Sequence, residues 1–201
     1  VLRQIQFLQT KTSIMKRLLL FLFFLPLFLF KQTLFAQSPQ IGDFYQGGYV
    51  FYEINSTEGL VAYPTYQDPN NPVPGSDDWG CDGWTINGAN GTAIGTGYQN
   101  TMDMIAAQCN GDDGVAQLVD AFQGGGYNDW FVPSKDELHR ISTVLYNNFN
   151  TYFGPSWDKW TSSQYDHSFA WRINCANNIA EANQKYLSYT VIPVRMYLVP
   201  I

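Results

Sequence analysis

Gly126-Tyr127-Asn128-Asp129-Trp130-Phe131-Val132-Pro133-Ser134-Lys135-Asp136-Glu137-Leu138 runs from a glycine break through an aromatic segment into the clearest helix start in the chain. Ser134 stands three residues before Glu137. That is the spacing at which the serine hydroxyl accepts from the Glu137 amide while the glutamate reaches back to the Ser134 amide. Leu138, Ile141, Leu145 and Phe149 then form one apolar stripe, so a helix is predicted from Lys135 to about Phe149. Upstream, Val115, Leu118, Val119 and Phe122 recur at helical spacing, which predicts a helix from Asp113 to Phe122 ended by Gly124-Gly125-Gly126, and a shorter one precedes it from Thr101 to Cys109. Downstream, after Gly154-Pro155, strand-like runs return at Lys159 to Gln164, Ser168 to Asn174 and Lys185 to Val199.

Further upstream, Gly47 to Asn55 and Gly59 to Tyr66 are aromatic and β-branched runs separated by Ser56-Thr57-Glu58, and read as a hairpin. From Gln67 to Gly97 the chain turns to Asp, Asn, Pro and Gly. Each of these residues favours turns over regular structure. The embedded Trp79 and Trp84 predict that this long excursion is ordered. Strands, loops, helices and strands again make an α+β domain.

The chain has 201 residues, of which 45% are apolar and 14% charged. That is one globular domain's worth, and too few charges for a disordered tail or a coiled coil. Residues 1–36 read as an upstream extension plus an export signal. Lys16-Arg17 precede thirteen nearly unbroken apolar residues, Leu18 to Phe30, and Leu34-Phe35-Ala36 offers a cleavage site before Gln37. The alternative, a retained membrane anchor, is disfavoured because thirteen residues span roughly 20 Å against a hydrocarbon core of about 30 Å. Met15 is the expected true start, and residues 37–201 the single mature domain. From residue 37 on, six basic residues face seventeen acidic ones, a formal charge of −11. Nucleic acid and anionic lipid are thereby excluded as unaided partners, since both demand clustered Lys and Arg.

Export makes the three cysteines informative, because thiols in an oxidising compartment tend to pair. Cys81 with Cys109 is the favoured disulfide, closing the Gly/Asp-rich middle and contributing roughly 3.5 kcal/mol through chain entropy. Cys175 is then left over. The alternative is three buried free thiols.

Catalytic signatures are scarce. The only histidines are His139, inside the amphipathic helix, and His167, in a loop, and neither has an evident partner. Gly95-Thr96-Gly97 precedes a helix as a dinucleotide loop would, but Asn100 stands where the third glycine belongs. Asp77-Asp78 and Asp112-Asp113 could offer oxygens to calcium without forming an EF-hand loop. No cofactor is expected, and calcium is the one metal considered. What remains is a stretch in which aromatic and polar residues interleave: Trp157, Asp158, Trp160, Gln164, Tyr165, Asp166, Trp171 and Arg172. Such a mixture suits a sugar or protein ligand, because rings cover apolar faces at low entropic cost while amides and carboxylates fix hydroxyls. These eight residues are the candidate binding site. Trp160 and Trp171 fall in predicted strands and are equally read as core.

Three strings, Ile41-Gly42-Asp43-Phe44-Tyr45-Gln46-Gly47-Gly48-Tyr49-Val50-Phe51-Tyr52, Gly95-Thr96-Gly97-Tyr98-Gln99-Asn100-Thr101 and the opening Gly126 to Leu138, together resemble an exported bacterial domain family. It is the family typified by the C-terminal domain of a collagen-like adhesin. Trp160-Thr161-Ser162-Ser163-Gln164-Tyr165, Ala170-Trp171 and Pro193-Val194-Arg195 continue the resemblance in the same order, over nearly all of residues 41–198. The resemblance implies a C-type-lectin-like fold with a mixed or antiparallel sheet, two or three helices, paired first and last strands and a long loop region that carries the ligand surface. It places Tyr49 to Ile54 beside Tyr189 to Leu198. It also implies an exported, adhesin-like protein, secreted, periplasmic or held at the cell surface, that binds an extracellular glycan or surface protein without catalysis. The adhesin is associated with sulfated polysaccharides, which require a basic surface; a charge of −11 points to a different ligand.

Two alternatives stand beside this expectation. Val132 to Glu137 faintly resembles a Leu-Pro-Thr-x-x-Glu segment of formylglycine-generating oxidases, which would need a reactive Cys175. The third reading is a structural module of a surface assembly.

Overall fold

The hairpin expected near the start of the domain forms, and it organises the first of two sheets. The computed structural model describes residues 38–65, 75–109, 114–145, 149–154 and 158–200. Strands β1 (Phe44–Tyr45), β2 (Gly48–Asn55), β3 (Glu58–Ala62) and β9 (Val194–Leu198) lie in the order β1-β2-β3-β9, all antiparallel. N- and C-terminal strands therefore share one sheet. The partner of β9 is the second arm of the hairpin, through pairs such as Leu60↔Met196 and Val61↔Arg195. The expected placement of Tyr49 to Ile54 beside the last strand is corrected on this point: β2 is flanked by β1 and β3, so the only open side of the hairpin is that of β3.

The second sheet is mixed. Its order is β4 (Ser76–Asp77), β8 (Tyr189–Thr190), β5 (Asp158–Gln164), β6 (Phe169–Asn174), β7 (Ile179–Gln184), with β5 and β8 parallel and the other pairs antiparallel. The long run Lys185 to Val199 is two strands, not one, because Pro193 sits between them and proline cannot donate to a ladder. Strand β7 escapes sequence reading, since Ile-Ala-Glu-Ala-Asn-Gln has little β propensity. Its hairpin turn is nonetheless encoded: the side chains of Asn174 and Asn177 accept from the amides of Ala176 and Ile179, and Asn178 takes a positive φ of 59°.

Four helices are described: α1 (Gly97–Ala107), α2 (Val115–Asp120), α3 (Lys135–Val144) and α4 (Phe149–Phe153). Helix α1 starts four residues before the expected Thr101 and α2 is shorter than expected, with Asp113 outside the described residues. Helix α3 carries both halves of its capping box: the Ser134 hydroxyl accepts from the Glu137 amide at 3.3 Å and the Glu137 carboxylate from the Ser134 amide at 2.7 Å. It ends at Val144 rather than Phe149, which belongs to α4.

The first sheet separates two cores. Val50, Val61 and Tyr197 point to a cluster with Trp79, Met104, Trp130 and Trp160, while Phe51, Leu60, Ala62 and Val194 face Leu138, Ile141 and Leu145 of the α3 stripe. Each such fully buried side chain contributes about 1.5–3 kcal/mol by leaving water. The strings that carry the family resemblance supply the polar ties between these layers. Asn100, buried, brackets Gly91 through both ends of its amide, and the Thr101 hydroxyl accepts from the Val132 amide at 3.0 Å. Gly97 is fixed by close approach, because a Cβ there would run into the Glu137 carboxylate and the Ser134 amide.

Candidate functional site

The eight sequence-chosen residues do not form one patch. Trp157 lies outside the described residues. Asp158 and Gln164 stand at opposite ends of β5, about 20 Å apart at the usual rise of a strand. At the first end, Arg172 is ion-paired with both Asp158 and Glu181 and lies over the Tyr189 ring, so its charge is spent within the sheet. Trp160 is wholly buried, its indole N–H shared between the carbonyls of Asp77 and Leu187. Neither Trp160 nor Gln164 reaches the surface: of the two readings open for Trp160 the structure has the core one, and Gln164 is corrected from a ligand contact to a core residue. Strand β5 is covered on both faces, and a strand buried that way has no alternation from which to tell inward from outward positions.

At the second end the picture differs. Tyr165 is 58% exposed and meets the half-buried Trp171 edge to face, with ring centroids 5.1 Å apart, while the Lys135 ammonium sits 4.9 Å from the Trp171 ring. Asp166 accepts from the amides of Ser168 and Phe169, both at 2.8 Å, and so shapes the turn between β5 and β6.

Beside this end lies the described part of the long loop. Lys185 is fully buried, and its ammonium donates to the carbonyl of Trp84 at 2.7 Å and to Oε1 of Gln164 at 2.9 Å, with the Cys81 carbonyl at 3.5 Å and the Trp79 ring 4.6 Å away. Burial pulls its pKa down to about 8, against the opposing pull of Asp82 and Asp166. Gln164 binds the same loop, accepting from the Ile86 amide at 2.9 Å through its side chain and donating its own amide to the Ala89 carbonyl at 2.6 Å. One ammonium and one amide therefore tie the Trp84 backbone to the ends of β5 and β7, where Tyr165 follows Gln164 and Tyr186 follows Lys185; Trp84, Tyr165 and Tyr186 are 53%, 58% and 57% exposed. The expected disulfide forms between Cys81 and Cys109, Cα atoms 5.2 Å apart, and pins the start of this loop to the end of α1. Disulfides persist in oxidising, extracytoplasmic surroundings. Sequence reasoning used Trp84 only as a sign of order and missed Tyr186; a tryptophan among turn formers was the available signal.

Two hollows accompany these features. One, of about 340 Å³, is bordered by Trp84, Thr85, Asn87, Asp103, Ala106 and Cys109. The other, of about 640 Å³, is bordered by Tyr52, Leu60 and Met196 of the first sheet and by Ile94, Tyr98 and Phe131. Asp129 stands at its rim, held in a forked pair by Arg195 at 2.6 and 2.9 Å.

Of the calcium candidates, Asp112 and Asp113 lie outside the described residues, and Asp77 accepts from the Asp78 amide. Among the described residues no three His, Cys, Asp or Glu side chains cluster as metal ligands do, and no helix is long and apolar enough to cross a membrane. Cys175 is buried, and burial pushes its thiol up to about 12. Compared with known proteins, the chain matches no protein-family model and no curated protein.

Proposed function

We propose that the protein is an exported, non-catalytic, adhesin-like binding domain of C-type-lectin-like architecture, and that it recognises an extracellular glycan or surface protein through the loop end of its second sheet. The observation that carries this reading is the trio of exposed rings, Trp84, Tyr165 and Tyr186, held on a backbone that Lys185, Gln164 and a disulfide make rigid. Exposed aromatic surface on a preorganised frame loses little entropy when a ligand covers it. Carboxylates and amides nearby, Asp103, Asn87 and Asp166, supply partners for hydroxyls. The sharing of one sheet by first and last strands, with residues 78–96 free of helix and strand ahead of α1, supports the architecture.

The test is binding of the purified protein to a broad glycan array, run with calcium and with chelator. Reproducible binding that falls when Tyr165 or Tyr186 is changed to alanine is expected. A blank array from folded protein overturns the glycan arm and leaves a protein ligand. The oxidase alternative requires a thiolate at Cys175, which burial opposes. A thiol reagent is expected to leave the native protein unlabelled and to modify one thiol per chain after unfolding; rapid native labelling would favour the oxidase. The assembly reading draws on the apolar 640 Å³ hollow, and size exclusion at several concentrations separates it, because a binding domain elutes at one volume throughout.

A further inference from the structure

We infer that the hollow between Trp84 and helix α1 is a seat for a single pyranose ring that bears no anionic group. This rests on the proposed glycan reading and names the ligand class of the same loop surface. Three properties of the hollow point there. The first is size: about 340 Å³ is at the small end of ligand sites, which run from about 300 to 1,000 Å³. The second is its composition. Its border combines the exposed Trp84, which supplies apolar ring surface, with the amide of Asn87, the hydroxyl of Thr85 and the carboxylate of Asp103. A pyranose has the matching duality, with C–H groups on one face for a ring to cover and hydroxyls at its edge for polar groups to bind.

The third is preorganisation. Asp103 Oδ1 accepts from the Gln99 side chain one helical turn earlier at 3.0 Å, while Oδ2 has no hydrogen-bond donor among the described residues. Residue 88 must be glycine for the loop to close on this carboxylate, since it has φ +98° and a Cβ there would meet Asp103. The Trp84 amide donates to the Cys81 carbonyl at 3.1 Å and its own carbonyl accepts from Lys185, so the ring's backbone is fixed from both sides. Cys109, at the floor, is fixed by the disulfide.

Charge sets the class. Among the described residues the only ionised side chain bordering the hollow is the Asp103 carboxylate, and the domain around it carries −11 from residue 37 on. A sulfated or uronic acid ring would bring its charge against both. A ring without anionic groups meets a strong acceptor for its hydroxyls at no such cost.

The experiment is calorimetric titration of the purified protein with cellotetraose, mannotetraose and N-acetylchitotetraose, with heparin-derived and hyaluronan-derived tetrasaccharides as the charged arm, alongside the glycan array. The variants are Trp84→Ala, which keeps the main-chain ties, and Asp103→Asn, which keeps an acceptor for Gln99; thermal unfolding verifies that both fold. Binding of at least one uncharged oligosaccharide is expected, weakened about tenfold or more in each variant, as loss of a stacking face or a charged acceptor implies. If an array ligand is found but either variant binds it as tightly as the parent protein, the seat is overturned while the proposed function stands. Preference for the charged arm overturns the ligand class. A blank array and no titration heat from folded protein overturn the seat and the glycan arm of the proposed function together, leaving a protein ligand.

Discussion

Lys159 shows at one residue how burial becomes a pH dependence. Its side chain is buried beneath β8, donating to the Thr190 hydroxyl at 2.8 Å and the Phe153 carbonyl at 3.3 Å. Desolvation lowers its pKa from 10.5 to about 8, more than the nearby Cys175 and Asp158 restore. Between these values the unfolded chain holds a proton that the folded protein has released, so stability rises with pH across the window. Below pH 8 the ammonium is charged in both states and the slope vanishes. Lys185 adds a slope of the same sign. Lys159→Met is therefore expected to flatten part of the rise in urea-unfolding free energy between pH 8 and 9.5, with Lys185 supplying the remainder. Equal slopes in variant and parent would show that Lys159 keeps its ordinary pKa in the fold.

The start of α3 illustrates what an element needs beyond propensity. Glu137 is fully buried, and burial raises its pKa while the amides of Ser134, Gly95 and Gly97 act to lower it. Its two oxygens accept from Ser134 at 2.7 Å and Gly95 at 2.8 Å, so one carboxylate caps the helix and also holds the turn that begins α1. Glu137→Gln preserves the shape but sets an amide N–H₂ against one of those backbone donors. A loss of about 2–3 kcal/mol is expected in chemical denaturation, above the roughly 1 kcal/mol of a simple cap; a loss under 1 kcal/mol would mean the turn at Gly95 finds another acceptor. The disulfide acts on the loop as Glu137 acts on the helix, and the Cys81→Ser, Cys109→Ser pair is expected to cost about 3.5 kcal/mol. Because the cross-link fixes the floor below Trp84, the pair should also weaken any ligand seated there more than its stability loss alone would suggest.

Elements whose local chemistry and tertiary place agree were readable in advance. The α3 capping box and the β2–β3 hairpin are spelled out by neighbouring residues, and so is the Cys81–Cys109 pair within its turn-rich segment. Strands β1, β4 and β8 have two residues each and exist through their partners, while Pro193 hid a break inside a run that looked continuous. For the candidate site, Tyr165 and Asp166 were legible as loop-borne and Trp171 as a strand residue, and the structure brings the Tyr165 and Trp171 rings into contact beside the turn that Asp166 shapes. Gln164 was misread because its amide does the opposite of binding a ligand: it holds the Trp84 loop from inside. That role needs residues 86 and 164 in contact, and no local pattern announces a pairing 78 positions apart.

At the scale of the molecule, charge decides which partners can approach. Three of the six basic residues beyond position 36 have their charges engaged internally: Arg195 with Asp129 and the Tyr127 ring, Arg172 with Asp158 and Glu181, and Lys185 with loop carbonyls. Lys159 is buried as well. Most of the positive charge is thus paired or buried, so few cations are left to meet an anionic partner while the net charge from residue 37 on stays at −11. A sulfated polysaccharide needs a row of accessible cations and the release of its counterions, neither of which this exterior offers. Retention on heparin resin is expected to be absent in about 0.15 M salt, where the screening length is about 8 Å, and to stay absent as salt is lowered. Anion-exchange resin should hold the protein at neutral pH. Retention on heparin that weakens with added salt would reveal a cationic surface that the described residues lack, and would move the ligand surface away from the Trp84 loop.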